Sequence, residues 1–154
     1  MTSDACDGSK SVVDVGANAG YFTLLASKYP CTHVIAMEPQ HAPRVLAATG
    51  VRLNGVASRV TLLPFAVGAR EGSAQVDTQP DKWGLSSVHT QTVATKGAVE
   101  VVPISSLTLT KDVLLIKVDT EGGEVDVCVA FFDDSCIARL LTHEMQTSGA
   151  VVVL

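Results

Sequence analysis

The sequence predicts an α/β fold, a three-layer αβα sandwich built on a mostly parallel sheet. An apolar, β-branched stretch at residues 11–15 ends in a glycine-rich turn, and a helix-like segment follows. A second apolar stretch, residues 33–38, ends in a carboxylate about 20 residues after the turn, which is the spacing of a nucleotide-binding βαβ unit. A third apolar stretch at residues 113–118 is followed by Asp119. Such unbroken apolar strands indicate burial on both faces, as in a parallel sheet.

The elements between these strands follow from local signals. Residues 21–29 predict a first helix, which Pro30 ends. A second helix is predicted to begin near Pro43 and to end near Asn54. A third strand is predicted at residues 60–67.

The second half of the chain is less regular. Short alternating pieces at residues 74–77 and 99–102 predict a strand pair, with a flexible loop at residues 79–97 between them. The last predicted elements are a helix at residues 119–132, a strand at residues 138–144 and the start of another strand at residues 150–154. No linker separates two units, so residues 1–154 are predicted to form one domain with its core at about residues 11–146.

Composition narrows the function classes. A formal net charge of -5 and a pI near 5.2 disfavour general nucleic-acid binding, because no basic stripe is present. Residues 1–10 lack the apolar region of a signal peptide, and no apolar run approaches the length of a membrane span. The protein is therefore predicted to be soluble and cytoplasmic. The sequence contains no Cys-x-x-Cys pair of the kind that indicates a zinc site. Cys31 and Cys128 are predicted to be small buried apolar residues.

The glycine-rich turn indicates which ligand the first βαβ unit would take. Gly16 and Gly20 allow close approach of the backbone to a ligand, and Glu38 can accept both hydroxyls of a ribose. Asn18 stands where a dinucleotide-binding turn has its middle glycine, and the carboxylate of Asp14 would repel a pyrophosphate. These two residues disfavour an NAD-binding oxidoreductase, which is a third, weaker reading. An adenosine-containing cofactor with a cationic end fits better.

Two motifs carry a resemblance to a known family. The turn Asp-Val-Gly-Ala-Asn-Ala-Gly at residues 14–20 resembles the first motif of class I S-adenosylmethionine (SAM) methyltransferases. The string Lys-Val-Asp-Thr-Glu-Gly-Gly-Glu at residues 117–124 closely resembles the Lys-Ile-Asp-x-Glu-Gly-x-Glu signature of the FkbM family of these enzymes. Further family features occur in order at Glu38-Pro39, Asn54, Ala66-Val67-Gly68, Ser86-Ser87 and Glu144. The resemblance implies a Rossmann-like methyltransferase that uses SAM, in a family whose better-known members methylate oxygen.

The resemblance also implies a cofactor site. Residues of the turn would line the methionine part of SAM, Glu38 would hold the ribose, and Phe65 and Ala66 would lie near the adenine. Asp119 would face the methionine amino group or the acceptor. The full set of predicted cofactor-binding residues is Asp14, Gly16, Ala17, Asn18, Gly20, Tyr21, Phe22, Glu38, Pro39, Phe65, Ala66 and Asp119.

Methyl transfer to a hydroxyl requires alignment of the acceptor oxygen and removal of its proton. Asp119 and His143 are the predicted catalytic residues, and His89 is a further candidate if the loop closes over the site. A divalent ion held by Asp119, Glu121 and Glu144 is an alternative activator, but no metal is expected. The predicted acceptor is a small molecule or a sugar, an assignment that rests on the resemblance alone.

The end of the chain raises an alternative to an active enzyme. A class I methyltransferase closes its sheet with an antiparallel hairpin, and only residues 151–154 are available for it, so the fold is predicted to be truncated there. An exposed edge strand in that region predicts a possible homodimer. The alternative function is a catalytically degenerate SAM-binding scaffold, or a fragment, that binds the cofactor without turnover.

Overall fold

The computed structural model describes residues 10–78, 86–91, 97–107, 112–120, 127 and 151–153. Within them the chain forms two helices and nine strands in the order β1 (Lys10–Val15), α1 (Tyr21–Ala26), β2 (Thr32–Met37), α2 (His41–Leu53), β3 (Val60–Leu63), β4 (Ala66–Val67), β5 (Gly72–Thr78), β6 (Ser86–Gln91), β7 (Val99–Val102), β8 (Asp112–Val118) and β9 (Val151–Val153). Short 3-10 turns occupy Ala57–Arg59 and Ile104–Ser106.

The strands form two sheets. The first has the order β3-β2-β1-β8-β9, and each of its neighbouring pairs is parallel. The second has the order β4-β7-β5-β6, in which β5 runs antiparallel to both neighbours. The predicted α/β fold with a mostly parallel, Rossmann-like sheet is confirmed.

Apolar side chains cover both faces of β1, as its unbroken apolar sequence predicts. Val13 and Val15 point to one face and join the largest core cluster, together with Met37, Ile116, Val118 and Val127. Val12 points to the other face and packs with Val34 and with Ala26 of α1. The central strand is therefore buried between two layers from Ser11 to Val15, and within β1 the exposed residue is Lys10 at its amino end.

Helix α1 and one strand differ from the predicted boundaries, whereas the predicted extent of α2 is confirmed. Helix α1 ends at Ala26, and the N–H groups of Lys28 and Tyr29 then donate to carbonyls three residues back, at 3.2 and 3.1 Å, in turns tighter than an α-helix. Helix α2 begins at His41, so Pro43 lies inside the first turn, where its missing N–H costs nothing. The predicted strand at residues 60–67 is wrong as one element, since it is divided between β3 and β4 in different sheets.

The break between β3 and β4 has a local cause. Pro64 stands between the two strands, and proline cannot donate a hydrogen bond to a sheet ladder.

The predicted loop at residues 79–97 is wrong in part, since residues 86–91 form β6 and pair antiparallel with β5. The polar sequence Ser-Ser-Val-His-Thr-Gln lacks the apolar alternation by which strands are recognised. The predicted strand pair, β5 with β7, is confirmed and is antiparallel.

Several predictions concern the last third of the chain. Residues 151–153 form a strand, as predicted, and pair parallel with β8. Within the predicted helix at residues 119–132, Val127 is helical and fully buried in the core. Asp119 and Thr120 are not helical, so the predicted start of that helix is wrong. The other residues of the predicted helix and the predicted strand at residues 138–144 lie outside the described residues. The predicted truncation and homodimer stay predictions.

The structure also bears on membrane insertion and on the state of Cys31. No helix among the described residues is both long enough and apolar enough to cross a membrane. Cys31 is half-buried and disulfide-bonded, so the prediction that it is a small buried apolar residue is wrong. Its backbone has a φ of 69°, in the left-handed region, where it ends the turn before β2.

Candidate functional site

The loops that follow β1, β2 and β8 meet at the carboxyl edge of the parallel sheet. The N–H groups of Gly16 and Ala17 both donate to the Met37 carbonyl, at 3.0 and 2.9 Å. The N–H of Asp119 donates to the Val15 carbonyl at 3.1 Å. These bonds continue the parallel ladder past the ends of the strands. The segments that sequence analysis selected on three separate strands are therefore neighbours, at the edge where such sheets bind ligands.

The two glycines of the turn make room for the chain itself. Gly16 has a φ of +76°, and a Cβ there would lie 1.9 Å from the backbone carbonyl oxygen of Asp119. Gly20 has a φ of +86°, and a Cβ there would lie 2.8 Å from the Cβ of Ala47 on α2. The prediction explained both glycines by close approach of a ligand. In the structure, their immediate neighbours are β8 and α2.

Glu38 is the buried carboxylate of this edge. It is 4% exposed, although it follows the last residue of β2 directly. Its Oε2 accepts the backbone N–H of Asn18 at 2.8 Å, and its Oε1 accepts that of Gln40 at 2.8 Å. Each carboxylate oxygen has a second lone pair. Glu38 is thus fixed in orientation and retains capacity for two more donors.

Arg44 holds the loop that carries Glu38. Its Nη1 donates to the carbonyls of Glu38 and Pro39, at 2.8 and 2.7 Å. Both carbonyls precede the N-cap of α2 and lie outside its hydrogen-bond ladder. Sequence analysis did not select Arg44, and its place in the first turn of a helix after Glu38-Pro39 is the only signal.

The pKa of Glu38 reflects this position. Burial raises the pKa of its carboxyl group above the ordinary value of 4.5, because the charged form loses water. The N–H groups of Gln40 and Asn18 and the charges of Arg44 and Lys117 act in the opposite direction, without cancelling the effect of burial.

The raised pKa of Glu38 predicts a pH-dependent contribution to stability. Between 4.5 and the raised pKa, the folded protein keeps a proton that the unfolded chain has released. The folded state then binds more protons, so this contribution falls as pH rises through that interval. We expect the free energy of unfolding of wild type, minus that of Glu38→Gln, to decrease from about pH 4 upward and then to level off. Denaturant titrations at several pH values measure this difference, and Glu71→Gln on the surface is the control. A difference that grows with pH would contradict the raised pKa.

A second charged cluster lies beside the turn, around Lys117 of β8. Lys117 Nζ lies 2.8 Å from the Gly16 carbonyl oxygen, 3.2 Å from Asp14 Oδ1 and 3.5 Å from Asp119 Oδ2. The hydroxyl of Thr23 on α1 donates to Asp14 Oδ2 at 2.6 Å. Asp14 and Lys117 are register partners on adjacent strands, which places them side by side. Sequence analysis assigned no role to Lys117 or Thr23.

The charges of this cluster do not balance. Among the described residues, two carboxylates surround one ammonium group, which leaves one negative charge in excess. Asp14 has no exposed side-chain surface and Lys117 is 13% exposed, whereas the side chain of Asp119 is 59% exposed. The excess charge is therefore presented to solvent by Asp119. In the structure the Asp14 carboxylate contacts Thr23 and Lys117, and its predicted contact with the cofactor stays a prediction.

The other predicted cofactor-binding residues make none of the contacts described above. Tyr21 is 82% exposed at the first position of α1. Phe22 and Phe65 pack against separate core clusters, and Ala66 is buried in the smaller sheet. His143, Glu121 and Glu144 lie outside the described residues. The structure thus brings together Gly16, Ala17, Asn18, Gly20, Glu38, Pro39 and Asp119. Within the part of the chain that the structure describes, no group of three metal-binding side chains occurs.

Comparison with known proteins identifies the family. The family model described as the methyltransferase FkbM domain matches residues 14–148, which is most of the chain and includes the described edge residues. No curated protein and no solved structure matches the chain. The match confirms the resemblance carried by the turn at residues 14–20 and by the string at residues 117–124. The chain therefore belongs to the FkbM family of methyltransferases.

Proposed function

We propose that the protein transfers a methyl group from S-adenosylmethionine to a hydroxyl oxygen of a small molecule or a sugar. The observation that carries the proposal is Glu38, a buried carboxylate that two backbone N–H groups hold at the carboxyl edge of the sheet. A ribose presents two adjacent hydroxyl donors, and the two free lone pairs of Glu38 match them. Because the carboxylate is already oriented, little side-chain entropy is lost when it binds.

The charge at the edge fits the other end of the same cofactor. SAM carries an ammonium group and a sulfonium group, whereas a dinucleotide carries a pyrophosphate. Asp119 presents the excess negative charge of the Lys117 cluster to solvent. That charge attracts a cation and repels a phosphate. We therefore assign the ribose to Glu38 and the amino group of the methionine part to Asp119.

Methyl transfer from SAM requires the protein to supply orientation more than chemical activation. When bound, SAM supplies a methyl carbon that its sulfonium group has already activated. The protein must align the acceptor oxygen with that carbon, and orientation of this kind is worth effective molarities of about 10⁵ M or more. Asp119 and His143 are the candidates for accepting the hydroxyl proton. Of these two, Asp119 lies within the described residues, with its Oδ2 at 3.5 Å from Lys117 Nζ.

A cytoplasmic location and assembly as a homodimer are further proposals. The cytoplasmic location and the homodimer both follow from the sequence alone. The disulfide-bonded Cys31 counts against a cytosolic location, because disulfides are rare there. Sedimentation at micromolar concentration tests the homodimer.

Calorimetric titration of the full chain with SAM, S-adenosylhomocysteine and NAD⁺ tests the proposed function. We expect both SAM and S-adenosylhomocysteine to bind with micromolar affinity, and NAD⁺ not to bind. Transfer of a labelled methyl group to a panel of sugars and small hydroxyl compounds then tests turnover. Binding of NAD⁺ in preference to SAM would overturn the proposal. Binding of SAM without transfer to any acceptor would favour the degenerate scaffold.

A further inference from the structure

We propose that Lys117 is a positioning residue for the amino-acid end of the methyl donor, acting through Gly16 and Asp119 without touching the donor itself. The inference rests on the proposed function and deepens it. Its basis is the set of three oxygen atoms that surround the Lys117 ammonium group, on three different segments of the chain.

The ammonium group of Lys117 is already engaged by the protein. An ammonium has three N–H donors, and three oxygen atoms lie within 2.8 to 3.5 Å of it. The side chain is only 13% exposed. The Gly16 carbonyl accepts a hydrogen bond from it, and the carboxylates of Asp14 and Asp119 are held beside it by charge. Any effect of this lysine on the ligand passes through the groups that it holds.

Stability alone gives no reason for a charged pair, in place of two apolar residues, at this position. The rest of β8 between Val113 and Val118 is apolar, and the neighbouring positions on β1 are valines. Burial of a charge pair costs desolvation energy, and apolar residues of similar volume often serve the fold as well or better. Oδ1 of Asp14 accepts no hydrogen bond within the described part of the chain, so its compensation is the ammonium charge at 3.2 Å. The pair is therefore better explained by what Lys117 orients.

Lys117 orients two groups at the amino-acid end of the proposed donor site. It fixes the carbonyl of Gly16, whose N–H is fixed by Met37 on the opposite side. It also attracts Oδ2 of Asp119, which limits the rotation of an otherwise exposed carboxylate. The ribose end is held differently, since Glu38 takes its orientation from backbone N–H groups and Lys117 acts on it through its charge alone. Loss of Lys117 is thus expected to affect one end of the donor and to spare the other.

Lys117→Met tests this inference with three ligands. SAM and S-adenosylhomocysteine carry the amino-acid end, whereas 5′-methylthioadenosine has the adenosine and the thioether without it. We expect the dissociation constants of the first two to rise by about 10- to 100-fold, and that of 5′-methylthioadenosine to change by less than about threefold. Lys10→Met, an exposed lysine at the amino end of β1, is the matched control and is expected to leave all three unchanged.

The outcomes separate this inference from the proposed function. Failure of folded wild type to bind SAM would overturn both. Binding of SAM by wild type, with equal losses for all three ligands in Lys117→Met or with no loss, would overturn the inference alone. If Lys117→Met does not fold, Asp14→Asn with Lys117→Met removes the unpaired buried charge and keeps an acceptor for Thr23. The same selective loss is expected from this double variant. If that variant does not fold either, Lys117 serves the fold itself and the inference is wrong.

Discussion

Replacing Glu38 with alanine is expected to weaken SAM binding by roughly 100-fold or more. The change removes both acceptors for the ribose hydroxyls, and each hydrogen bond to a charged acceptor is worth about 1.5–3 kcal/mol. It also releases the N–H groups of Asn18 and Gln40, which Glu38 holds at 2.8 Å. Calorimetry with SAM and with 5′-methylthioadenosine measures the effect. Both ligands contain the ribose, so both are expected to lose affinity, in contrast to the selective loss in Lys117→Met.

Glu100→Ala is the control for this experiment, since Glu100 is an exposed glutamate of β7. The free energy of unfolding of each variant is measured in parallel, to show that Glu38→Ala is folded under the conditions of the titration. Retention of wild-type affinity for 5′-methylthioadenosine by a folded Glu38→Ala protein would remove Glu38 from the ribose site.

Gly16→Ala is expected to destabilise the fold by about 2–5 kcal/mol. An L-residue in the left-handed conformation costs about 1–2 kcal/mol, and Gly16 has a φ of +76°. The new Cβ would also lie 1.9 Å from the carbonyl oxygen of Asp119, a backbone atom that cannot rotate away. Overpacking of this kind typically costs a further 1–3 kcal/mol or so. Urea unfolding followed by circular dichroism measures the change.

Gly55→Ala separates the two contributions. Gly55 has a φ of +67°, and a Cβ there would meet nothing within 4 Å. Its substitution is expected to cost only the backbone contribution, about 1–2 kcal/mol. Equal losses in the two variants would show that the contact between Gly16 and Asp119 is not tight in solution.

The fold was largely predictable because its central strands carry strong local signals. The apolar runs of β1, β2 and β8 mark buried parallel strands wherever they occur, and the glycine turn marks the end of β1. The prediction of a continuous strand at residues 60–67 was wrong because it followed the apolar pattern and took no account of Pro64, which interrupts the strand. Strand β6 was missed because its polar sequence lacks an apolar period.

The candidate site was predictable only in part. Glu38 and Asp119 were found because each directly follows an apolar strand, and such positions share one edge of a parallel sheet. The roles of Lys117 and Thr23 arise from contacts made across the sheet and to α1, which depend on the register of strands far apart in sequence. A lysine within an otherwise apolar strand was a usable signal. Together with Asp14 on β1, this lysine would have indicated a buried ion pair.

During synthesis on a ribosome, the strand that carries Asp14 is made long before the lysine that neutralises it. Gly16 and Lys117 are 101 residues apart, which at about 5–20 residues per second corresponds to roughly 5–20 s of translation. A carboxylate without its partner stays hydrated, because burial of an unpaired charge is costly. We therefore expect the nascent chain to keep β1 open to water until β8 has emerged. The central sheet is then expected to close late in synthesis, after β8 has emerged from the ribosome.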